Sequence, residues 1–83
     1  MITTHPGEYL AATYLGERGH SSAELADMLD VSESTVSRLI HCKSDVTPEM
    51  ALRLERLGPS AEMWMSMQTR HSLSEARKSM DAS

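Results

Sequence analysis

Apolar residues in this 83-residue chain recur at helical spacing, and no stretch alternates as a strand would. The clearest run lies at 21–40. Leu25, Ala26 and Leu29 share one helical face, and Val36, Leu39 and Ile40 repeat that spacing on a second. The phase breaks around Asp30 and Val31, as a sharp turn between two short helices requires. Ala26 is small where the two helices cross. The run therefore predicts a helix-turn-helix over about 21–40.

The same reasoning places the other helices. His5-Pro6-Gly7-Glu8 starts the first, with Pro6 at a position whose N–H has no helical partner and Glu8 favourable to the dipole. Tyr9, Leu10, Thr13 and Tyr14 form its inner face, and it ends near Gly16 or Gly19. Ser21-Ser22-Ala23-Glu24 is a capping box for the second helix, and Ser32 caps the third, which runs to about Ile40. A loop at 41–46 follows. Thr47-Pro48-Glu49 opens the fourth helix, striped by Met50, Ala51, Leu54 and Leu57 and stopped by Gly58-Pro59. Ser60 caps the fifth, where Met63, Trp64 and Met67 read as core rather than as a partner-binding stripe. Ser72-Leu73-Ser74-Glu75 reads as another capping box, predicting a short sixth helix to about Met80 and frayed residues at 81–83. The expectation is one all-α domain over 1–83, five helices with a short sixth, its C-terminal helix and tail at about 60–83.

Chemistry concentrates on the third helix. Ser32, Ser34, Thr35, Ser37 and Arg38 fill its outward face, and a short helix with small hydroxyls and one guanidinium fits a DNA major groove. Ser22, at the start of the second helix, joins the DNA-contact set, as do His41 and Lys43 as phosphate contacts, with plain surface polarity the competing reading. Glu33 has two readings: an acceptor for a cytosine amino group, or a first-turn residue that suits the helix dipole.

Charge complicates the DNA reading. The net charge is −4. Residues 1–30 hold Glu8, Glu17, Glu24, Asp27 and Asp30 against Arg18 alone, whereas 36–56 hold Arg38, Lys43, Arg53 and Arg56 against Asp45, Glu49 and Glu55. The chain is least acidic around the reading helix and its exit loop. So few cations imply few phosphate contacts per protomer, with specificity gained by a homodimer on a palindromic operator.

Other classes fare poorly. His5, His20, His41 and His71 share no metal-ligand spacing with each other or with Cys42, so no metal or cofactor is expected. There is no Gly-rich phosphate loop and no nucleophile-base arrangement, so an enzyme is not expected. One cysteine permits no internal disulfide and fits a reducing cytoplasm, and no apolar run approaches the roughly 20 residues that span a membrane.

Four pieces carry a family resemblance: His5-Pro6-Gly7-Glu8; Leu25-Ala26 with Val31-Ser32 and Val36-Ser37; Val46-Thr47-Pro48-Glu49-Met50-Ala51-Leu52-Arg53-Leu54; and Ala61-Glu62-Met63-Trp64 followed by Gln68. Over roughly residues 4–73 the chain resembles the lambda-repressor-like helix-turn-helix group, and within it the HigA-type antitoxins. That resemblance implies a dimeric repressor of its own operon that also neutralises a small, basic, RelE-like mRNA-cleaving toxin. The acidic residues of the first two helices suit such a partner. Alternatives are a stand-alone or phage-type regulator, and a toxin-binding module with weak DNA binding. The chain departs from the family at Asp30, Cys42 and Asp45, where Gly is common, and at Arg18 and His20, where apolar residues are usual. If Cys42 is left-handed, the strain is about 1 kcal/mol relative to Gly.

Overall fold

Each of the five α-helices starts where a short-range cap forms. In the computed structural model, which describes residues 4–81, α1 spans Pro6–Leu10 and continues without a break into a π-helical segment, Ala11–Glu17. Its cap is His5, whose Nδ1 accepts from the Gly7 N–H at 2.9 Å. Helix α2, Ser22–Leu29, carries the expected capping box: the Ser21 hydroxyl accepts from the Glu24 N–H, and the Glu24 carboxylate accepts from the Ser21 N–H. Ser32 caps α3, Glu33–Ile40, and Thr47 caps α4, Pro48–Leu54. A 3-10 turn at Glu55–Leu57 precedes α5, Ala61–Asp81, whose first turn is held by Ser60 Oγ accepting from the Met63 N–H. The described residues form helices joined by short turns and loops, with no strand among them.

Helix α5 corrects the expected sixth helix. It runs unbroken for 21 residues. Ser72 does not cap a new helix. Its hydroxyl accepts from Gln68 Nε2 at 3.0 Å within the helix. Asp81 closes α5, so it is not frayed, and the other expected frayed residues, 82 and 83, lie outside the described residues.

The turn between α2 and α3, which holds Asp30, and the loop after α3, which holds Cys42, show how these two departures are accommodated. Asp30 is left-handed, with φ 56° and ψ 49°, where Asp is tolerated better than most residues. Cys42 is left-handed too, with φ 59°, so the expected strain is present. Asp45 is not, so that departure from Gly carries no backbone strain. Arg18 lies over the Tyr14 ring, 4.7 Å from its centroid, and His20 Nδ1 sits 3.7 Å from Glu24 Oε2. Both therefore have surface partners where an apolar residue would pack.

The core joins every helix. Leu10, Tyr14, Leu25, Leu29, Val36, Leu39, Ala51, Leu54 and Trp64 are buried in one cluster. Tyr14 is anchored as well as packed, donating its hydroxyl to the Leu57 carbonyl at 3.0 Å. Trp64 meets Tyr9 edge to face at 5.5 Å. Met63 departs from the expected core: it is 45 % exposed, one position round the helix from Trp64. A helix of 21 residues is about 31 Å long, against a molecule 22 and 21 Å across its short axes, so α5 outruns the globule. Its second half leaves Leu73 and Met80 exposed.

Candidate nucleic-acid interface

Helix α3 presents the candidate reading face, and three contacts outside the helix-turn-helix fix where it sits. The first is a close approach at Gly7, where a Cβ would lie 1.8 Å from the Leu39 carbonyl oxygen. Only a residue without a side chain lets α1 meet the end of α3 there. The second comes from Gln68, buried on α5, whose Oε1 accepts from the Val46 N–H at 2.7 Å and pins the loop after α3. The third is the buried His5. Because its Nδ1 accepts from Gly7, the ring proton sits on Nε2, which faces Asp45 Oδ1 at 3.6 Å. The ring edge also meets His71, at 4.9 Å between centroids. His5, Gly7 and Gln68 thus hold the reading helix and its exit loop from behind.

The outward face of α3 carries a connected set of polar groups. Ser32 Oγ accepts from the Thr35 N–H at 3.2 Å, lies 2.8 Å from Thr35 Oγ1 and 3.2 Å from Ser34 Oγ. Arg38 Nη2 donates to Thr35 Oγ1 at 3.3 Å. Ser32, Ser34, Thr35 and Arg38 are therefore brought together. Ser37 and His41 form a second pair, with His41 Nδ1 donating to the Ser37 carbonyl at 2.8 Å, which ends α3. Lys43 is exposed, and its N–H donates to the Arg38 carbonyl at 2.8 Å. Glu33 is exposed in the first turn. Ser22 stands apart at the first residue of α2 and is half-buried.

The cation inventory shrinks once the fold is seen. Arg53 Nη1 donates to the carbonyls of Leu29 and Asp30, at 3.0 and 3.1 Å, while Nη2 lies 3.5 Å from Glu49. Arg56 Nη1 donates to the Met28 carbonyl at 3.1 Å. Both arginines therefore satisfy the open carbonyls at the end of α2. Of the four cations counted at 36–56, Arg38 and Lys43 are not committed to α2 in this way. Sequence reading missed this because the pairs are 23 to 28 residues apart.

Carboxylates and the thiol respond to these surroundings. The Ser21 N–H and hydroxyl hold the Glu24 carboxyl below its usual range. Partial burial and the Glu8 carboxylate push the Cys42 thiol up, its Sγ being 3.9 Å from Glu8 Oε1. Burial likewise raises the Tyr14 phenol, against the opposing Arg18 charge. Among the described residues, no group of three or more His, Cys, Asp or Glu is arranged to hold a metal ion, and no helix is long and apolar enough to cross a membrane. A groove of about 510 Å³ opens between α1 with its π-helical extension and α5, lined by Thr4, Glu8, Tyr9, Ala12, Met63, Met67 and Arg70.

Comparison with known proteins adds the context. The profile of the helix-turn-helix family HTH_3 matches residues 12–58. The HTH-type transcriptional regulator YddM of Escherichia coli is 39 % identical over 79 residues, covering 94 % of this chain and 83 % of that protein. Antitoxin HigA of Pseudomonas aeruginosa, solved with the higBA promoter, is 37 % identical and superposes with a TM-score of 0.87 over 94 % of this chain and 86 % of that one. An addiction module antidote protein of the HigA family from Coxiella burnetii gives a TM-score of 0.89 at 28 % identity, over 99 % and 90 % of the two chains. The fold expected from the sequence, an all-α lambda-repressor-like arrangement with the helix-turn-helix as its second and third helices, is thereby shown.

Proposed function

This chain belongs to the helix-turn-helix family, and from that membership we propose that it is an antitoxin and autorepressor. It binds a palindromic operator as a symmetric homodimer, placing α3 of each protomer in the major groove. The observation that carries the reading is the outward face of α3, where Ser34 and Arg38 stand exposed on a helix locked from behind by Gly7 and Gln68. A similar chain, HigA of Pseudomonas aeruginosa, has been solved with its promoter. Arg38 and Ser34 are assigned to base edges. Ser32, Glu33, Thr35 and Ser37 belong to the same helix surface. Ser22, His41 and Lys43 flank it on the phosphate side.

One such helix with two cations buries too little for tight binding alone, so two copies are required, their reading helices about 34 Å apart. The protomer contact is assigned to α5, whose second half exposes Leu73 and Met80. The second partner is a small, basic, RelE-like toxin. Glu8, Glu17 and Asp27 are exposed on α1, its extension and α2, and suit a basic surface, with opposite charge setting association rate and orientation. Glu24 contributes charge there, although its carboxylate is committed to the α2 cap.

The test is binding of the purified protein to the DNA upstream of its own reading frame. Arg38→Ala weakens specific binding by about 1–3 kcal/mol if the guanidinium grips a guanine. Unchanged binding in the Arg38→Ala, Ser34→Ala double variant removes α3 as the reading helix. Co-expression with the small basic protein encoded beside it tests the antitoxin half: growth is rescued and a complex co-purifies. A neighbour that is harmless alone, or whose toxicity this chain does not relieve, leaves a DNA-binding regulator.

A further inference from the structure

We propose that Thr35 is a positioning residue that makes the reading face of α3 selective for guanine. It does so through a one-way hydrogen-bond chain running Arg38 to Thr35 to Ser32 to Ser34. The inference rests on the operator-binding reading above and specifies what that face recognises.

The direction of the chain follows from counting protons. A guanidinium only donates, so at the 3.3 Å contact Thr35 Oγ1 accepts from Arg38 Nη2. Thr35 is half-buried, and an unpaired hydroxyl hydrogen in such a place is costly. The acceptor in reach is Ser32 Oγ at 2.8 Å, so Thr35 donates there. Ser32 Oγ also accepts from the Thr35 N–H at 3.2 Å, as the cap of α3. Both its lone pairs are then occupied, and its own hydrogen turns to Ser34 Oγ at 3.2 Å. The Ser34 hydrogen is left over at the exposed end of the chain.

Two consequences follow for recognition. Arg38 is held over its own helix by a hydroxyl one turn back, which limits a long side chain that otherwise samples many rotamers. Of the groups at the two ends of the chain, the remaining guanidinium N–H bonds only donate, and the Ser34 hydroxyl offers its hydrogen beside one remaining lone pair. In the major groove guanine offers two acceptors, O6 and N7. Adenine pairs an acceptor with a donor, cytosine offers a donor, and thymine offers one acceptor beside a methyl group. A guanidinium that only donates, held in place by Thr35, fits the paired acceptors of guanine best.

The experiment is selection of bound sites from a random duplex pool with the full-length protein, its Thr35→Val variant and its Thr35→Ser variant. Thermal melts establish that each is folded. The wild type is expected to fix a guanine in each half-site. Thr35→Val, nearly isosteric, lowers the preference for that base about tenfold and leaves the salt dependence of binding unchanged, because no phosphate contact is lost. Thr35→Ser restores the preference. A purely structural role would move melting temperature and overall affinity without flattening one base position. The wild-type protein alone supplies a second test: 7-deazaguanine at the selected base, which removes N7 and keeps the base pair, weakens binding about tenfold. Retained guanine preference in Thr35→Val, a base other than guanine fixed by the wild type, or no loss with 7-deazaguanine overturns the proposal while operator binding stands. A wild type that enriches no sequence overturns the operator-binding reading and this inference with it.

Discussion

Replacing Gly7 with Ala separates tertiary packing from helix propensity, because the two predict opposite signs. Propensity alone favours Ala in a helix by about 1 kcal/mol. The structure opposes it: the new methyl would lie 1.8 Å from the Leu39 oxygen, 2.9 Å from the Leu39 carbonyl carbon and 3.0 Å from His5 Nδ1. Carbon–oxygen contacts settle at about 3.3–3.6 Å, so α1 and α3 must part by roughly 1.5 Å. Two of the opposing atoms are backbone and cannot swing aside. Overpacking of this kind costs about 1–3 kcal/mol, and movement at His5 weakens a cap worth about 1 kcal/mol. The net loss is about 2 kcal/mol after the propensity gain, which lowers Tm by about 10 °C in a domain of this size. Circular-dichroism melts measure it, and operator binding below both melting temperatures reports whether α3 has shifted. A Gly7→Ala protein that melts at or above the wild-type temperature refutes the reasoning.

Four further outcomes follow from named contacts. Arg53→Met strips the carbonyls of Leu29 and Asp30 of their donor and lowers stability by about 1–3 kcal/mol in urea titrations, toward the low end because the site is partly solvated. Cys42→Gly relieves the left-handed φ of 59° and raises stability by about 1 kcal/mol, read from the same titrations. The lowered Glu24 carboxyl stabilises the fold above the usual carboxylate pKa, and that contribution is lost as pH falls through the lowered value. The wild type therefore loses urea resistance below about pH 4 more steeply than Glu24→Gln does. With Arg38 given to a base edge and Lys43 as the phosphate-facing cation of each protomer in the proposed dimer, about two phosphates are neutralised, so log affinity falls against log salt with a slope of about −1.8; a slope twice as steep means that other cations reach the backbone.

The parts of the fold that could be read from the sequence are those fixed by contacts within one turn. Ser21, Ser32, Thr47 and Ser60 all cap helices as their spacing predicts, since each bond joins residues three apart. The same locality explains the error at Ser72. A Ser-x-x-Glu pattern scores as a cap wherever it falls, but no Gly or Pro lies between Ala61 and Asp81, and Met, Gln, Arg, Glu and Lys favour continuation. That absence was the usable signal. His5 escaped notice as a cap because imidazole is not among the residues that usually fill the role. The Gly7–Leu39 approach and the Arg53 and Arg56 bonds were out of reach, because nothing local marks which distant backbone will stand opposite.

The arginines change how an acidic DNA-binding chain is understood. By composition, residues 36–56 supply a mildly basic patch beside the reading helix. In the folded chain half of those cations face inward to the end of α2, so bulk attraction to phosphate is weaker still. What remains for DNA is geometry: α3 fixed by a glycine against its backbone, by a buried glutamine on its exit loop, and by a hydroxyl chain along its own surface. A protein built this way gains little from nonspecific attraction to phosphate, so the operator binding and pairing proposed above rest on the shape and polar groups of α3. On the proposed reading the exposed carboxylates of Glu8, Glu17 and Asp27 suit the basic partner and not DNA, because opposite charge favours the one and like charge disfavours the other.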